Sequence, residues 1–199
     1  MAPHVQHQLR KVSVYGLNDN LILNNSPTTL QLFTANSDTI QELYLLEMCV
    51  GVDTSRLKRD SLRNVSKLTL DQPFGDPSNL LQACSNLKYF FFTSGYLKFN
   101  NDDFIMERVT TVCLDDLQDL DFFDGVDVGA ILKKFPHVEV LTIKNTAIGI
   151  DFEDFSLSSL TFLGLKNVKM DELSKIIFNG KLPAQLRLDE SMIEDCDFT

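Results

Sequence analysis

The chain has 199 residues, 44% of them hydrophobic and 23% charged, with 18 Lys plus Arg against 28 Asp plus Glu and a net charge of -10. Those fractions exclude wholesale disorder, collagen and fibre compositions. The acidic balance argues against general DNA or RNA binding, whose affinity rests on Lys and Arg neutralising phosphates. A chain this long buries roughly 70% of the surface it exposes when unfolded, so it needs no disulfide or metal staple, and its length allows one domain or at most two.

Residues 1–10 lack the apolar core of a signal peptide, and no window approaches the roughly 18 uninterrupted apolar residues of a membrane span. A cytoplasmic or nuclear location is therefore expected. Residues 1–8 are expected to form a disordered or capping N-terminus; His4 and His7 lie there with no cysteine near them. Cys49, Cys84, Cys113 and Cys196 are 35, 29 and 83 residues apart, so no CxxC pairing supports a zinc or redox site. Cys84 and Cys113 stand beside apolar residues and read as small buried hydrophobes.

From Leu9 onward one phrase recurs, with apolar residues at its positions 1, 4 and 6. It runs Leu9/Val12/Val14, Ile40/Leu43/Leu45, Val65/Leu68/Leu70, Leu87/Phe90/Phe92, Val109/Val112/Leu114, Val138/Leu141/Ile143 and Leu160/Leu163/Leu165, ending in Pro183/Leu186/Leu188. The starts are separated by 31, 25, 22, 22, 29, 22 and 23 residues. Each phrase alternates with the two-residue period of a short half-buried strand. Helices are predicted between several of them: over 55–62, over 76–84 behind Asp76 and Pro77, over 128–135 up to Pro136, and over 170–178 before Asn179-Gly180. The first interval also holds Leu21-Ile22-Leu23 and Leu30-x-Leu32, read as a degenerate strand or a loop.

Strand, turn and helix at a 22- to 31-residue period predict an irregular leucine-rich repeat solenoid of the α/β class, with short parallel strands on the concave face and helices and loops on the convex face. It should cover residues 9–190 as about seven or eight repeats, followed by an acidic C-terminal tail at 191–199. A doubly wound sheet is disfavoured: its strands would be longer and continuously apolar, and a glycine-rich phosphate turn would be expected. Leu80-Leu81-Gln82-Ala83-Cys84-Ser85-Asn86-Leu87-Lys88-Tyr89-Phe90 resembles the helix-to-strand phrase of intracellular leucine-rich repeats in F-box proteins, and Ile131-Leu132-Lys133-Lys134-Phe135-Pro136-His137-Val138 is similar. The resemblance implies substrate recognition for a ubiquitin ligase, with ligase components among the partners. The chain departs from the pattern in three ways, the first being the Leu9-to-Ile40 interval, too long for one regular repeat. No F-box precedes the repeats, which suggests a piece of a longer protein. The turn position that regular members fill with Asn or Cys holds Met48, Pro73, Gly95, Leu117, Thr146 and Val168, so no Asn ladder is expected there.

In such a fold, positions 3, 5 and 7 of each phrase point onto the open sheet face. That face would gather Tyr44, Leu46, Tyr89 and Phe91 near its middle, with Phe162 farther along. Clustered aromatics on a sheet are what an interface anchor looks like. Lys144 and Lys166 would stack on neighbouring repeats and meet an acidic partner strip, and Asp71 and Asp115 would do the reverse. The insert at 115–129 carries six Asp around Phe122 and Phe123, but lacks the calcium-loop spacing and reads as a solvated acidic loop. No GxSxG, HExxH or GxxxxGK occurs, and only His137 could serve a catalytic triad within the repeats. The expected function is a non-enzymatic protein-protein interaction module without metal or cofactor, binding a protein or peptide partner. The alternative is a structural repeat subunit or scaffold of a stable multiprotein complex.

Overall fold

Short apolar alternations need neighbours to bury one face, and here they find each other in chain order. The computed structural model describes residues 9–15, 33, 35–46, 57–72, 76–97, 99, 104–118, 128–148, 158–170, 183–189 and 192–193. Strands β1 (Lys11–Tyr15), β2 (Glu42–Leu46), β3 (Lys67–Asp71), β4 (Tyr89–Gly95), β5 (Thr111–Leu117), β6 (Val140–Lys144), β8 (Phe162–Lys166) and β10 (Gln185–Asp189) form one eight-stranded parallel sheet. Each strand lies beside the strand of the next phrase, which is the topology of a solenoid. A second, three-stranded parallel sheet joins β7 (Ala147–Ile148), β9 (Lys169–Met170) and β11 (Met192–Ile193). Met192 and Ile193, assigned by sequence to the tail, thus extend the pattern by pairing with β9.

The register places identical phrase positions opposite one another. Position 4 lines up as Leu43, Leu68, Phe90, Val112, Leu141 and Leu163, and position 6 as Leu45, Leu70, Phe92, Leu114, Ile143 and Leu165. All twelve are buried. Position 1 completes the core with Ile40, Val65, Leu87, Val109, Val138 and Leu160. A fourth position contributes, of which the sequence marks only Cys84 as buried: three residues before position 1, Leu62, Cys84, Met106 and Phe135 are also buried, and their carbonyls accept the position-1 amides of Val65, Leu87, Val109 and Val138. The chain therefore turns tightly into each strand around a buried side chain. Phe90 and Phe135 stack with ring centroids 5.3 Å apart, and Phe99 and Phe104 pack edge-on at 5.5 Å behind them.

Helices are shorter than the sequence predicts. The helix over 76–84 is α1 (Ser78–Ala83), begun by Asp76, whose Oδ1 accepts the Ser78 amide at 2.8 Å and also the Ser78 hydroxyl. The one over 128–135 is α2 (Val128–Leu132), with turns following it. The predicted helix over 55–62 is a correction: residues 59–64 form turns, and Asp60 at φ 63 lies in the left-handed region, which no helix tolerates. Its amide and that of Leu62 instead donate to the Gln82 and Ala83 carbonyls at 3.2 and 2.9 Å, satisfying the end of α1 in the following repeat. Met106 does the same for α2 through Lys134 O at 2.7 Å. The predicted helix over 170–178, the segments at 21–32, the Asp-rich residues 119–127 and residues 1–8 lie outside the described residues, apart from Met170 in β9.

The turn leaving each strand repeats one conformation. Gln72, Ser94, Asp116, Asn145 and Asn167, each two residues past position 6, have φ of 47, 51, 52, 48 and 50. A left-handed residue at the same place in five coils aims the chain away from the sheet at one corner. A side-chain ladder does run here, with Asn145 and Asn167 one residue before the position where regular repeats carry Asn and Asp115 two residues before it. Asn145 Nδ2 donates to Asp115 Oδ1 at 2.7 Å, and Asn167 Nδ2 donates to Asn145 Oδ1 at 3.0 Å. Next to it, buried Thr146 donates to Lys144 O at 2.7 Å and accepts the Leu117 amide at 3.2 Å.

Burial separates the two described cysteines. Cys84 is fully buried, and desolvation pushes its thiol from the ordinary 9.0 up to about 12. Because the unfolded chain ionises this thiol first, the contribution of Cys84 to stability should be constant well below pH 9 and be lost as pH rises through 9 toward about 12. Urea melts of the wild type and Cys84→Ala across that range check this, the alkaline slope being shallower in the variant. Cys113 corrects the sequence expectation: it is only half-buried, because position 5 puts it on the open face.

Candidate interaction face

Alternation with the core sends positions 3, 5 and 7 to the opposite side of the sheet. Position 3 forms a row from Lys11 through Glu42, Lys67, Tyr89, Thr111, Val140 and Phe162 to Gln185. Position 5 forms a parallel row containing Tyr44, Thr69, Phe91, Cys113, Thr142 and Gly164. Its leading end is held by a regular pattern: the carbonyls of Arg10, Gln41, Ser66, Lys88, Thr110 and Glu139 each accept two amides from the next strand. The face is therefore a rigid backbone lattice with side chains set about 4.8 Å apart between strands.

Three of the predicted residues come together. Lys67 Nζ lies 5.4 Å from the Tyr44 ring centroid and 5.1 Å from that of Phe91, joining β2 to β4 across β3. Lys11 Nζ lies 4.4 Å over the same Tyr44 ring from β1. Ammonium groups at such distances are attracted by the ring quadrupole. The Tyr44 hydroxyl donates to Glu42 Oε2 at 2.8 Å, fixing the ring from its far end. Tyr89 stands beside Lys67 in the position-3 row and is 43% exposed, whereas Phe91 is half-buried.

The other predicted residues are placed apart from that cluster. Leu46 is half-buried at the trailing end of β2, and Asp71 is half-buried at the trailing end of β3. Phe162 is three strands beyond Tyr89, and its ring closes over Gly164, where an added Cβ would come within 3.0 Å of Phe162 Cε1. Lys144 Nζ lies 3.9 Å from Asp115 Oδ2, so the cation and the acid meet each other on adjacent strands. Lys166 is exposed and in register with Lys144. On β5, beside that ion pair, Cys113 has its thiol pushed up by burial, against the pull of Lys144 and with the help of Asp115.

Lys11, Glu42 and Lys67 were legible in the position-3 row yet were not picked as site residues. Their part is revealed chiefly by lateral neighbours on adjacent coils, Tyr44 for Lys11 and Tyr44 and Phe91 for Lys67, which lie 23 to 33 residues away in sequence. Among the described residues no three His, Cys, Asp or Glu side chains converge as metal ligands would, and no helix is long and apolar enough to cross a membrane. No protein-family model and no curated protein matches this chain.

Proposed function

We propose that this chain is a non-enzymatic interaction module that binds a protein or peptide on the open face of its sheet. The observation that carries the reading is the aromatic cluster of Tyr44, Tyr89 and Phe91 on that face, bridged by Lys67 and with Tyr89 left exposed. Rigid aromatics on an ordered backbone lose little entropy on binding and are the side chains that anchor interfaces. The leucine-rich phrase supports the finer reading that this face is the concave lining of a leucine-rich repeat. Its similarity to F-box proteins supports substrate recognition for a ubiquitin ligase.

The test is a native pulldown with wild type beside Tyr89→Ala/Phe91→Ala, after circular dichroism has shown the variant folded. Loss of a bound client by about tenfold or more is expected. Recovery of ligase components with that client would support the F-box-like role. An unchanged set of partners would move the interface off this face. A second reading, a structural subunit of a stable complex, draws support from β10, where Leu186 and Leu188 occupy core positions yet are 38% and 41% exposed. Apolar positions left open at a sheet edge are what a permanent partner would cover.

A further inference from the structure

We propose that the part of the open face spanning β1 to β4 takes an acidic, aromatic-bearing peptide segment of a partner protein, laid across the strands along Lys11, Tyr44, Lys67 and Phe91. The proposal rests on the reading of the chain as an interaction module and adds the chemistry of what it binds. The charge pattern of the face is its first support. On a chain of net charge -10, the leading ends of β1 to β4 carry Arg10, Lys11, Lys67 and Lys88 against Glu42. Toward the trailing ends the sign turns, with Asp71 on β3 and, on the neighbouring β5, Asp115 and Asp116. Such a local reversal favours a partner segment whose acids are confined to a short stretch. A long polyanion such as RNA would also meet the trailing aspartates.

Geometry is the second support. Lys11 and Lys67 flank β2 in register with Glu42 between them, a separation of about 10 Å for two strand spacings. An extended segment in the polyproline II conformation repeats its side chains every third residue at about 9 Å. Carboxylates so spaced reach both ammonium groups. Glu42 is turned to another task, accepting the Tyr44 hydroxyl at 2.8 Å. The ammonium groups, already drawn over the Tyr44 and Phe91 rings, lose less freedom when a carboxylate arrives. Tyr89 and Phe91 on the neighbouring strand then supply the apolar contact for the segment's own aromatic ring.

The experiment measures binding of a short labelled peptide combining aspartates and phenylalanine, beside the same peptide with Asn for every Asp, and maps the site by amide chemical shifts. The proteins compared are wild type, Lys11→Glu/Lys67→Glu, the milder Lys11→Gln/Lys67→Gln in case charge reversal disturbs folding, and, as control, Arg59→Glu/Arg63→Glu, at two exposed cations of the 59–64 turn outside the sheet. Shifts confined to β1–β4 are expected. Binding should weaken by about tenfold or more with the Asn peptide or with either Lys11/Lys67 variant, and hold in the control. Raising salt from about 50 mM to about 500 mM should weaken it similarly. Equal binding of the two peptides, no binding of the acidic one, shifts mapped elsewhere, or displacement by a single-stranded oligonucleotide would each overturn the proposal. A cellular client lost with Tyr89→Ala/Phe91→Ala but retained by both Lys11/Lys67 variants would overturn this inference alone and leave the interaction module standing. A client retained by all of them would remove both from this face.

Discussion

Phe90→Ala should lose about 3–5 kcal/mol of stability in a urea melt, while Phe91→Ala, its immediate neighbour, should lose only about 1 kcal/mol. The difference comes from which face each ring enters. Phe90 has no exposed surface, stacks on Phe135, and stands in the core row between Leu68 and Val112. Removing it leaves a cavity that rigid neighbours on both flanking strands cannot collapse to fill. Phe91 is half-buried on the open face, where the Lys67 ammonium lies 5.1 Å from its ring centroid. In a solenoid each coil touches only its neighbours, so the Phe90 loss also weakens coupling between coils and should broaden the transition. A larger loss for Phe91→Ala than for Phe90→Ala would mean the strand is shifted by one residue, which would invert the whole face.

Asn145→Val is expected to cost about 2–3 kcal/mol, and Asn145→Gly about 1 kcal/mol. Two separable effects act at this residue. Its φ of 48 is left-handed, a conformation that Asn tolerates and a β-branched side chain does not. Its amide also sits between Asp115 and Asn167, donating to one at 2.7 Å and accepting from the other at 3.0 Å. Glycine keeps the turn and loses only the ladder, so its deficit isolates the hydrogen bonds. The ladder is solvent-exposed, so that deficit stays small. Chemical denaturation of both variants beside wild type measures the split. If glycine and valine are equally harmful, the turn conformation contributes nothing.

Much of the architecture was legible in the phrase itself. Positions 1, 4 and 6 predicted the core, and Val65, Leu68 and Leu70 or Val138, Leu141 and Ile143 are buried as that spacing requires. The register followed from the same pattern, since only in-phase pairing buries every apolar position at once. The helices read less well. Within residues 59–64 the amides of Asp60 and Leu62 are drawn to the carbonyls of Gln82 and Ala83 in the next coil, a long-range demand that local propensity does not see. The ladder of Asp115, Asn145 and Asn167 was missed because the familiar turn asparagine stands one residue later than the left-handed residue here.

The candidate site divides along the same line. Tyr44, Tyr89 and Phe91 could be assigned to the open face from a two-residue period, because alternation is a local property of a strand. That Lys67 bridges two of those rings and that Lys144 meets Asp115 depend on side chains from strands that the chain brings together only by coiling. The sequence by itself thus determined which residues turn inward and which outward, since burial follows period. The tertiary structure alone decided which outward residues are neighbours, since lateral contacts between coils join positions 22 to 31 residues apart.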